Sequence, residues 1–263
     1  MRVLKNILGI GTVLKHFEVK SDKLPNAFDG FRILHISDFH CAPKKDMLKC
    51  IEGEKFDAVI VTGDLTDEKK PYGIYLELLS ELIKIAPVYQ VSGNHDMYRS
   101  DREEFFEKCR ELGSVFLQDE VAEIERFGEK IYLLGMSDSG SKKKSKVDAA
   151  IEASLSKLKR QDGYEILLYH RANKLDSFRD MGFDLILSGH MHGGHIRLGK
   201  LGGVLSPKSG IFDTGRLFFP KYSGGYYKIG KTDAIVNCGL GNSIPIPRFG
   251  NPTEIISITL KKI

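Results

Sequence analysis

The amino-acid sequence predicts an α/β fold in which two mixed β-sheets lie face to face between outer layers of helices. Three observations support this prediction: short β-branched runs alternate with amphipathic stretches, a hairpin pattern interrupts this order in mid-chain, and strand patterns dominate the last part. With 263 residues and 41% hydrophobic side chains, the chain can bury the core of one such domain. We therefore expect a four-layer α/β/β/α sandwich.

Apolar, β-branched runs predict five buried strands, at Arg32 to Ile36, Ala58 to Thr62, Val88 to Ser92, Glu165 to Tyr169 and Leu185 to Ser188. Apolar residues at helical spacing predict the helices between them, near Met47 to Ile51, Ile74 to Ile85, Arg102 to Leu112, Val147 to Lys159 and Lys174 to Met181. This order favours sheets whose outer faces are covered by helices.

Two patterns depart from the alternation of strand and helix. Val121 to Arg126 and Lys130 to Gly135 flank Phe127-Gly128-Glu129 and predict a hairpin. After Phe218 the pattern is again that of strands, at Tyr226 to Ile229, Ala234 to Asn237 and Glu254 to Leu260. These additions predict mixed sheets instead of a simple parallel sheet.

Composition favours a protein of a reducing compartment that acts on anionic substrates or contacts anionic surfaces. The formal net charge is only +4, a mild surplus. The run from Lys142 to Lys144 lies in one predicted loop and has no interleaved aromatic residues that could stack bases. Four cysteines form no C-x-x-C pair and are expected to be free thiols: Cys41, Cys50, Cys109 and Cys238. We expect a cytoplasmic protein without a nucleic-acid partner.

The N-terminal segment, residues 1–30, is expected to lead into a single catalytic domain at residues 31–263. Its apolar residues recur at helical spacing beside Arg2, Lys5 and Lys15, over a stretch too short to span a bilayer. No small-residue cleavage site of a signal peptide follows. Two alternatives remain: a segment packed on the domain, or an interfacial segment in peripheral contact with the anionic inner face of a membrane.

Metal-capable side chains follow five of the predicted strands, at the point where each apolar run ends. They are Asp38 and His40, Asp64, Asn94 and His95, His170, and His190 and His192. Because the carboxyl ends of neighbouring strands meet in one crevice, we expect these groups to form one site. A single Asp-x-His or a lone histidine would be weak evidence for a metal site. Five such clusters in one chain are hard to explain as unrelated loop residues.

The chemistry of these groups indicates two metal ions. Asp38 and His40 are two residues apart and can share a face toward one ion, and the two oxygens of the Asp64 carboxylate can bridge two ions. Oxygen and imidazole ligands without thiolate suit Mn²⁺, Fe or Zn²⁺, of which we expect Mn²⁺.

The motifs Asp38-x-His40, Gly63-Asp64-x-x-Asp67, Gly93-Asn94-His95-Asp96, His170 and Gly189-His190-x-His192 resemble those of the calcineurin-like metallophosphoesterase superfamily. Gly239-Leu-Gly-Asn-Ser-Ile and Arg248 further resemble the bacterial branch with YkuE- and YaeI-like phosphodiesterases and a UDP-2,3-diacylglucosamine pyrophosphatase. The segment from Lys15 to Gly30 resembles the strand that leads into that branch's catalytic domain.

The resemblance implies a role for each matching residue. Asp38, His40 and His192 would bind the first metal, Asp64 would bridge, and Asn94, His170 and His190 would bind the second. Two ions about 3.5–4 Å apart can share a hydroxide that attacks the phosphorus in line. His95 would stand beside the substrate phosphate, where we expect it to protonate the departing alkoxide or to stabilise its developing charge.

Further residues are candidates for catalysis or substrate binding. A catalytic imidazole needs a partner on its far nitrogen, and for His95 we favour Asp67 over Asp96, which could equally be a turn-forming carboxylate. Arg171, His195 and Arg248 are expected to bind substrate. Glu68 stands where relatives that hydrolyse phosphoproteins usually have Arg, which disfavours protein phosphatase activity.

The expected function is hydrolysis of a phosphodiester or diphosphate bond in a small substrate, including one of the nucleotide-sugar-lipid type. A metal-dependent nuclease and a non-catalytic scaffold are the alternatives. The small net charge disfavours the nuclease, and the presence of every proposed ligand disfavours the scaffold.

Overall fold

The computed structural model describes residues 11–199, 202–205, 218–242 and 247–263. Twelve strands within these ranges form two six-stranded sheets. The first sheet contains β1 (Thr12–Ser21), β2 (Arg32–Ile36), β3 (Ala58–Thr62), β4 (Val88–Val91), β5 (Val115–Phe116) and β12 (Thr253–Lys262). The second contains β6 (Glu120–Arg126), β7 (Glu129–Gly135), β8 (Tyr164–Arg171), β9 (Leu185–Gly189), β10 (Gly225–Ile229) and β11 (Thr232–Val236).

Both sheets are mixed. The first has the order β1-β12-β2-β3-β4-β5, with β12 antiparallel to β2 and the other pairs parallel. The second has the order β10-β11-β9-β8-β7-β6, with parallel central pairs and antiparallel outer pairs. The predicted hairpin is confirmed, since β6 and β7 are joined by Phe127 and Gly128, both with positive φ as a two-residue hairpin turn requires.

The helices are α1 (Lys45–Cys50), α2 (Gly73–Ile83), α3 (Asn94–Met97), α4 (Arg102–Glu111) and α5 (Lys144–Lys157). All except α3, a single turn that follows the carboxyl end of β4, pack on the outer faces of the two sheets. The stretch from Lys174 to Met181 was expected to be an α-helix, and this expectation is wrong: a 3₁₀ helix at Ala172–Phe178 follows β8 without an intervening loop.

Alternation along the strands produces three layers of core. In β2, Leu34 and Ile36 pack toward α1 and α2, whereas Ile33 faces the second sheet. In β8, Ile166 and Leu168 face the first sheet, while Leu167 packs against the outer helix α5. Because successive side chains on a strand point to opposite faces, each sheet has two buried faces. The predicted α/β/β/α sandwich is confirmed.

The segment expected to lead into the domain contributes a strand to it. All ten residues of β1 pair with β12, from Thr12 opposite Thr253 to Ser21 opposite Lys262. The alternatives for residues 1–10 lie outside the described residues. No helix of the described ranges is long and apolar enough to cross a membrane.

Candidate metal centre

The carboxyl ends of β2, β3 and β4 in one sheet and of β8 and β9 in the other meet at one edge of the sandwich. Hydrogen bonds hold the loops together there: the Asp38 amide donates to the Gly63 carbonyl at 3.0 Å. The His190 amide donates to both carboxylate oxygens of Asp38, at 2.9 and 3.1 Å, and so joins the two sheets. The predicted crevice is present at this edge.

A first group of potential ligands comprises Asp38, His40, Asp64 and His192, whose donor atoms lie within 4.8 Å of one another. His40 Nε2 lies 3.5 Å from Asp64 Oδ2, and His192 Nε2 lies 3.5 Å from Asp38 Oδ1. All four side chains are buried. These are the four residues that the family resemblance implies for the first ion and for the bridge.

A second group comprises Asp64, His170 and His190. His170 Nε2 lies 3.2 Å from Asp64 Oδ2 and 3.1 Å from His190 Nδ1. The adjacent Asn94 is buried, and its Oδ1 has no hydrogen-bond partner among the described residues. Asp64 belongs to both groups, as a carboxylate that bridges two ions would.

The hydrogen bonds of the histidines fit metal ligation. Nδ1 of His40 bonds Asp67 Oδ1 at 2.8 Å, Nδ1 of His170 bonds the Thr62 carbonyl at 2.8 Å, and Nδ1 of His192 bonds the Gly241 carbonyl at 3.2 Å. Such bonds place the hydrogen on Nδ1 and leave the Nε2 lone pair available to an ion. His40 Nε2 itself has no hydrogen-bond partner among the described residues. The residues therefore fit two divalent cations.

Buried charge at the site also favours cations. Burial lowers the pKa of His170, but the carboxylates of Asp64 and Asp38 outweigh it and raise that pKa to about 10. Burial raises the pKa of Asp64, yet His170 and His95 hold it well below its ordinary value. Two buried carboxylates need nearby positive charge, which bound ions supply.

The loops hold many of the ligands in an unusual backbone conformation. Five proposed ligands have positive φ, at 49° for Asp38, 46° for His40, 53° for Asp64, 74° for His190 and 47° for His192. This region is sterically unfavourable for residues with a Cβ atom. A cluster of residues with this backbone conformation is typical of functional centres.

The structure corrects the expected partner of His95. Nδ1 of His95 bonds Glu68 Oε2 at 2.7 Å, whereas Asp67 bonds His40. Asp96 is the turn-forming carboxylate: it accepts hydrogen bonds from the amides of Leu65, Thr66 and Gly93. Asp67 therefore orients a proposed metal ligand, and Glu68 orients His95. Nothing in the sequence pointed to Glu68 as this partner, apart from its replacement of the Arg that is usual in the protein phosphatases.

Three residues were expected to bind substrate, and the structure contradicts one of them. Arg171 is fully buried, and its Nε and Nη2 bond the two oxygens of Asp138 at 2.5 and 2.9 Å, so its role is internal. His195 is buried against His192, and neither ring nitrogen has a hydrogen-bond partner among the described residues. Arg248 lies beside His192, with Nη2 at 3.5 Å from Nδ1.

Gly189 allows β9 to approach the first sheet closely. A Cβ atom at this position would overlap Ser37 Oγ and Asp38 Oδ2. We expect Gly189→Ala to displace the Asp38 carboxylate, lower the metal content and destabilise the fold by about 1–3 kcal/mol, as overpacking does. Metal analysis and thermal unfolding measure both effects.

Gly73→Ala is the matched control, because a Cβ at Gly73 would meet nothing within 4 Å. It should leave the metal content unchanged and should not lower the melting temperature, since alanine is the better helix former at this first helical position. If Gly189→Ala behaved like this control, the close approach of β9 to Asp38 would have no importance for the site.

The fold and the two overlapping ligand groups define a metal-dependent phosphoesterase. The model of the calcineurin-like phosphoesterase family matches residues 31–194 of this chain. The chain belongs to that family, which agrees with the resemblance stated from its motifs.

Three curated relatives show how far the similarity extends. YkoQ of Bacillus subtilis, a metallophosphoesterase, is 30% identical over 192 residues, which cover 69% of this chain and 67% of YkoQ. YkuE of Bacillus subtilis, also a metallophosphoesterase, is 28% identical over 253 residues, covering 92% of this chain and 83% of YkuE. The phosphodiesterase YaeI of Escherichia coli is 26% identical over 187 residues, covering 67% of this chain and 66% of YaeI.

Proposed function

We propose that this protein hydrolyses a phosphodiester or diphosphate bond of a small or lipid-linked substrate with the help of two divalent ions. The observation that supports this most directly is the position of Asp64, whose Oδ2 faces His40 Nε2 on one side and His170 Nε2 on the other, at 3.5 and 3.2 Å. A carboxylate shared by two imidazole-rich groups is suited to a two-metal site.

Seven residues would hold the ions. Two bound ions supply an activated water nucleophile and positive charge for the phosphoryl oxygens. The first ion would be held by Asp38, His40, Asp64 and His192, and the second by Asp64, Asn94, His170 and His190. The ligand set is oxygen and nitrogen only, for which Mn²⁺ is our choice and Fe or Zn²⁺ the alternatives.

His95 is proposed to act on the leaving group without binding a metal. Its ring is edge-on to His40 at 4.9 Å between centroids, and 20% of its side chain is exposed, more than any proposed ligand. His95, His40 and Asp67 also form a cluster of possible ligand atoms. However, Asp67 and His40 already bond each other, and His95 Nδ1 bonds Glu68. This arrangement leaves His95 Nε2 for a proton that the departing oxygen receives.

We also propose a cytoplasmic location, with residues 1–10 either packed on the domain or in peripheral contact with an anionic membrane surface. β1 begins at Thr12 and is anchored by its pairing with β12, so removal of residues 1–10 leaves that strand complete. Flotation of the shortened and full-length chains with anionic vesicles distinguishes the two arrangements. Reduced flotation of the shortened chain supports membrane contact.

Removal of metal should abolish hydrolysis, and Mn²⁺ should restore it, because the ions supply both the nucleophile and the charge stabilisation. The measurement uses the metal-free and the reconstituted protein on bis(p-nitrophenyl) phosphate, p-nitrophenyl phosphate, cyclic nucleotides, UDP-sugars and single-stranded DNA. Diesters or diphosphates should be the best substrates. Full activity in excess EDTA, with metal removal verified, would refute the dimetal assignment, and preference for DNA would favour the nuclease.

A further inference from the structure

Arg248 is a buried cation without a carboxylate partner in the described part of the chain. Only 7% of its surface is exposed, and its bonded partners are neutral. Nε donates to Asn242 Oδ1 at 2.8 Å, and Nη2 donates to the Gly241 carbonyl at 2.6 Å. Nη1 has no hydrogen-bond partner among the described residues. A buried charge with an unsatisfied donor is costly, which indicates that an anion is needed to complete this site.

Two other arginines among the described residues are buried to a similar extent, and both are paired with a carboxylate. Arg171 bonds both oxygens of Asp138, at 2.5 and 2.9 Å. Arg99 is 5% exposed and bonds Asp101 Oδ2 at 2.8 Å. Arg248 differs from both arginines because its guanidinium group is hydrogen-bonded to no carboxylate of the described residues. The difference does not follow from burial, so we attribute it to a ligand.

The position of Arg248 relates it to the metal centre. Its Nη2 lies 3.5 Å from His192 Nδ1, while Nε2 on the other side of the same ring lies 3.5 Å from Asp38 Oδ1 in the first ligand group. The guanidinium is therefore about one imidazole ring away from that group. An anion bound here would be close to one held by the ions.

A cleft of about 360 Å³ lies between Arg248 and His40. Lys70, Cys41 and Asn242 are among its other lining residues, and none of the described residues that line it is acidic. Lys70 Nζ donates to the His40 carbonyl at 2.9 Å and pairs with Asp67 at 2.5 Å. Arg248, in contrast, has no carboxylate in hydrogen-bond contact among the described residues. The volume is within the range of small-ligand pockets.

We propose that Arg248 and this cleft form a subsite for a second phosphate, directly adjacent to the phosphate held at the metal centre. The preferred substrate would then contain a diphosphate. The proposal rests on the proposed function and narrows its substrate class. A guanidinium fork matches phosphate oxygens. A substrate with one phosphate would leave the Arg248 guanidinium without an anion to bind.

The affinity for nucleotides tests the subsite with a readout other than activity. We expect the metal-loaded full-length protein to bind ADP about 10- to 100-fold more tightly than AMP in calorimetric titrations, the range of a charge-assisted hydrogen bond. Arg248→Met keeps the side-chain bulk and should reduce this ratio to about one. Arg248→Lys keeps the charge but not the fork and should restore only part of it. Metal content is measured for each protein.

Arg179→Met is the control for loss of one positive charge, because Arg179 is an exposed residue that pairs with Asp176. It should leave the ratio of ADP to AMP affinity unchanged. An unchanged ratio in Arg248→Met, or equal losses for AMP and ADP with a lower melting temperature, would overturn the subsite and assign Arg248 a structural role. Tighter binding of a dinucleotide than of ADP by the wild type would also overturn it.

The same proteins separate the subsite from the proposed function. Hydrolysis of bis(p-nitrophenyl) phosphate by the metal-loaded wild type tests the function alone. Turnover of this diester together with an Arg248-independent ADP ratio would reject only the subsite. Absence of turnover of every ester, with the ADP preference intact and dependent on Arg248, would reject only the hydrolytic function.

Discussion

Asp64→Asn is expected to lower the affinity for metal by more than ~100-fold and to reduce hydrolysis to background. Replacement of groups that merely support a ligand typically costs about 10–100-fold, and Asp64 contacts both ligand groups directly. Asn has nearly the same shape but no charge, so one side of the bridge is lost without a change in packing. Metal analysis after dialysis and kcat/KM for bis(p-nitrophenyl) phosphate measure the effect.

The same Asp→Asn change at two other carboxylates provides the comparison for Asp64→Asn. Asp67 supports His40 through a hydrogen bond of 2.8 Å, so Asp67→Asn should fall within the intermediate range of about 10–100-fold. Asp176 is on the surface, paired with Lys221, and Asp176→Asn should retain both metals. Full metal occupancy and activity in Asp64→Asn would mean that the site lies elsewhere.

His95→Asn is expected to slow hydrolysis of alkyl esters by ~10²–10⁴-fold, the usual contribution of a general acid, and to slow p-nitrophenyl esters much less. p-Nitrophenolate leaves without a proton, whereas an alkoxide does not. Both metals should remain bound, because the His95 backbone amide, which donates to Asp64 Oδ1 at 2.8 Å, is retained in the variant. The comparison requires kcat/KM for one ester of each type in both proteins, with metal content measured.

Glu68→Gln provides the matched variant for the positioning of His95. The amide can still accept a hydrogen bond from Nδ1, but it lacks the charge that stabilises a protonated ring. Glu68→Gln should therefore slow alkyl esters more than p-nitrophenyl esters, as His95→Asn does, but by a smaller factor. Asp67→Asn should instead affect metal binding. If His95→Asn slowed both ester types by the same factor, His95 would position the phosphate and would not protonate the leaving group.

The sequence predicted the sandwich and the ligand clusters because both follow from local patterns. Each cluster comes directly after a buried strand, and parallel strands align their carboxyl ends. The sequence favoured Asp67 over Asp96 as the partner of His95, and the actual partner, Glu68, could not be predicted. Asp67 and Glu68 are adjacent, so the course of the loop alone decides which of the two faces His95. Arg171 was misassigned because its ion pair with Asp138 joins positions 33 residues apart. Such contacts depend on how the elements pack against one another, and the hydrophobic periodicity of the sequence carries no information about this packing.

The positive φ angles of the proposed ligands limit how this candidate centre could be transplanted. Asp38, His40, Asp64, His190 and His192 occupy the left-handed region, each at a cost of roughly 1–3 kcal/mol that the surrounding structure offsets. An engineer who copied the seven side chains onto another α/β scaffold would obtain loops that relax to negative φ and point the ligands elsewhere. The transferable unit is therefore the set of loops with their glycines. A designed phosphoesterase should reproduce the backbone conformation of these loops first and then place the side chains on it.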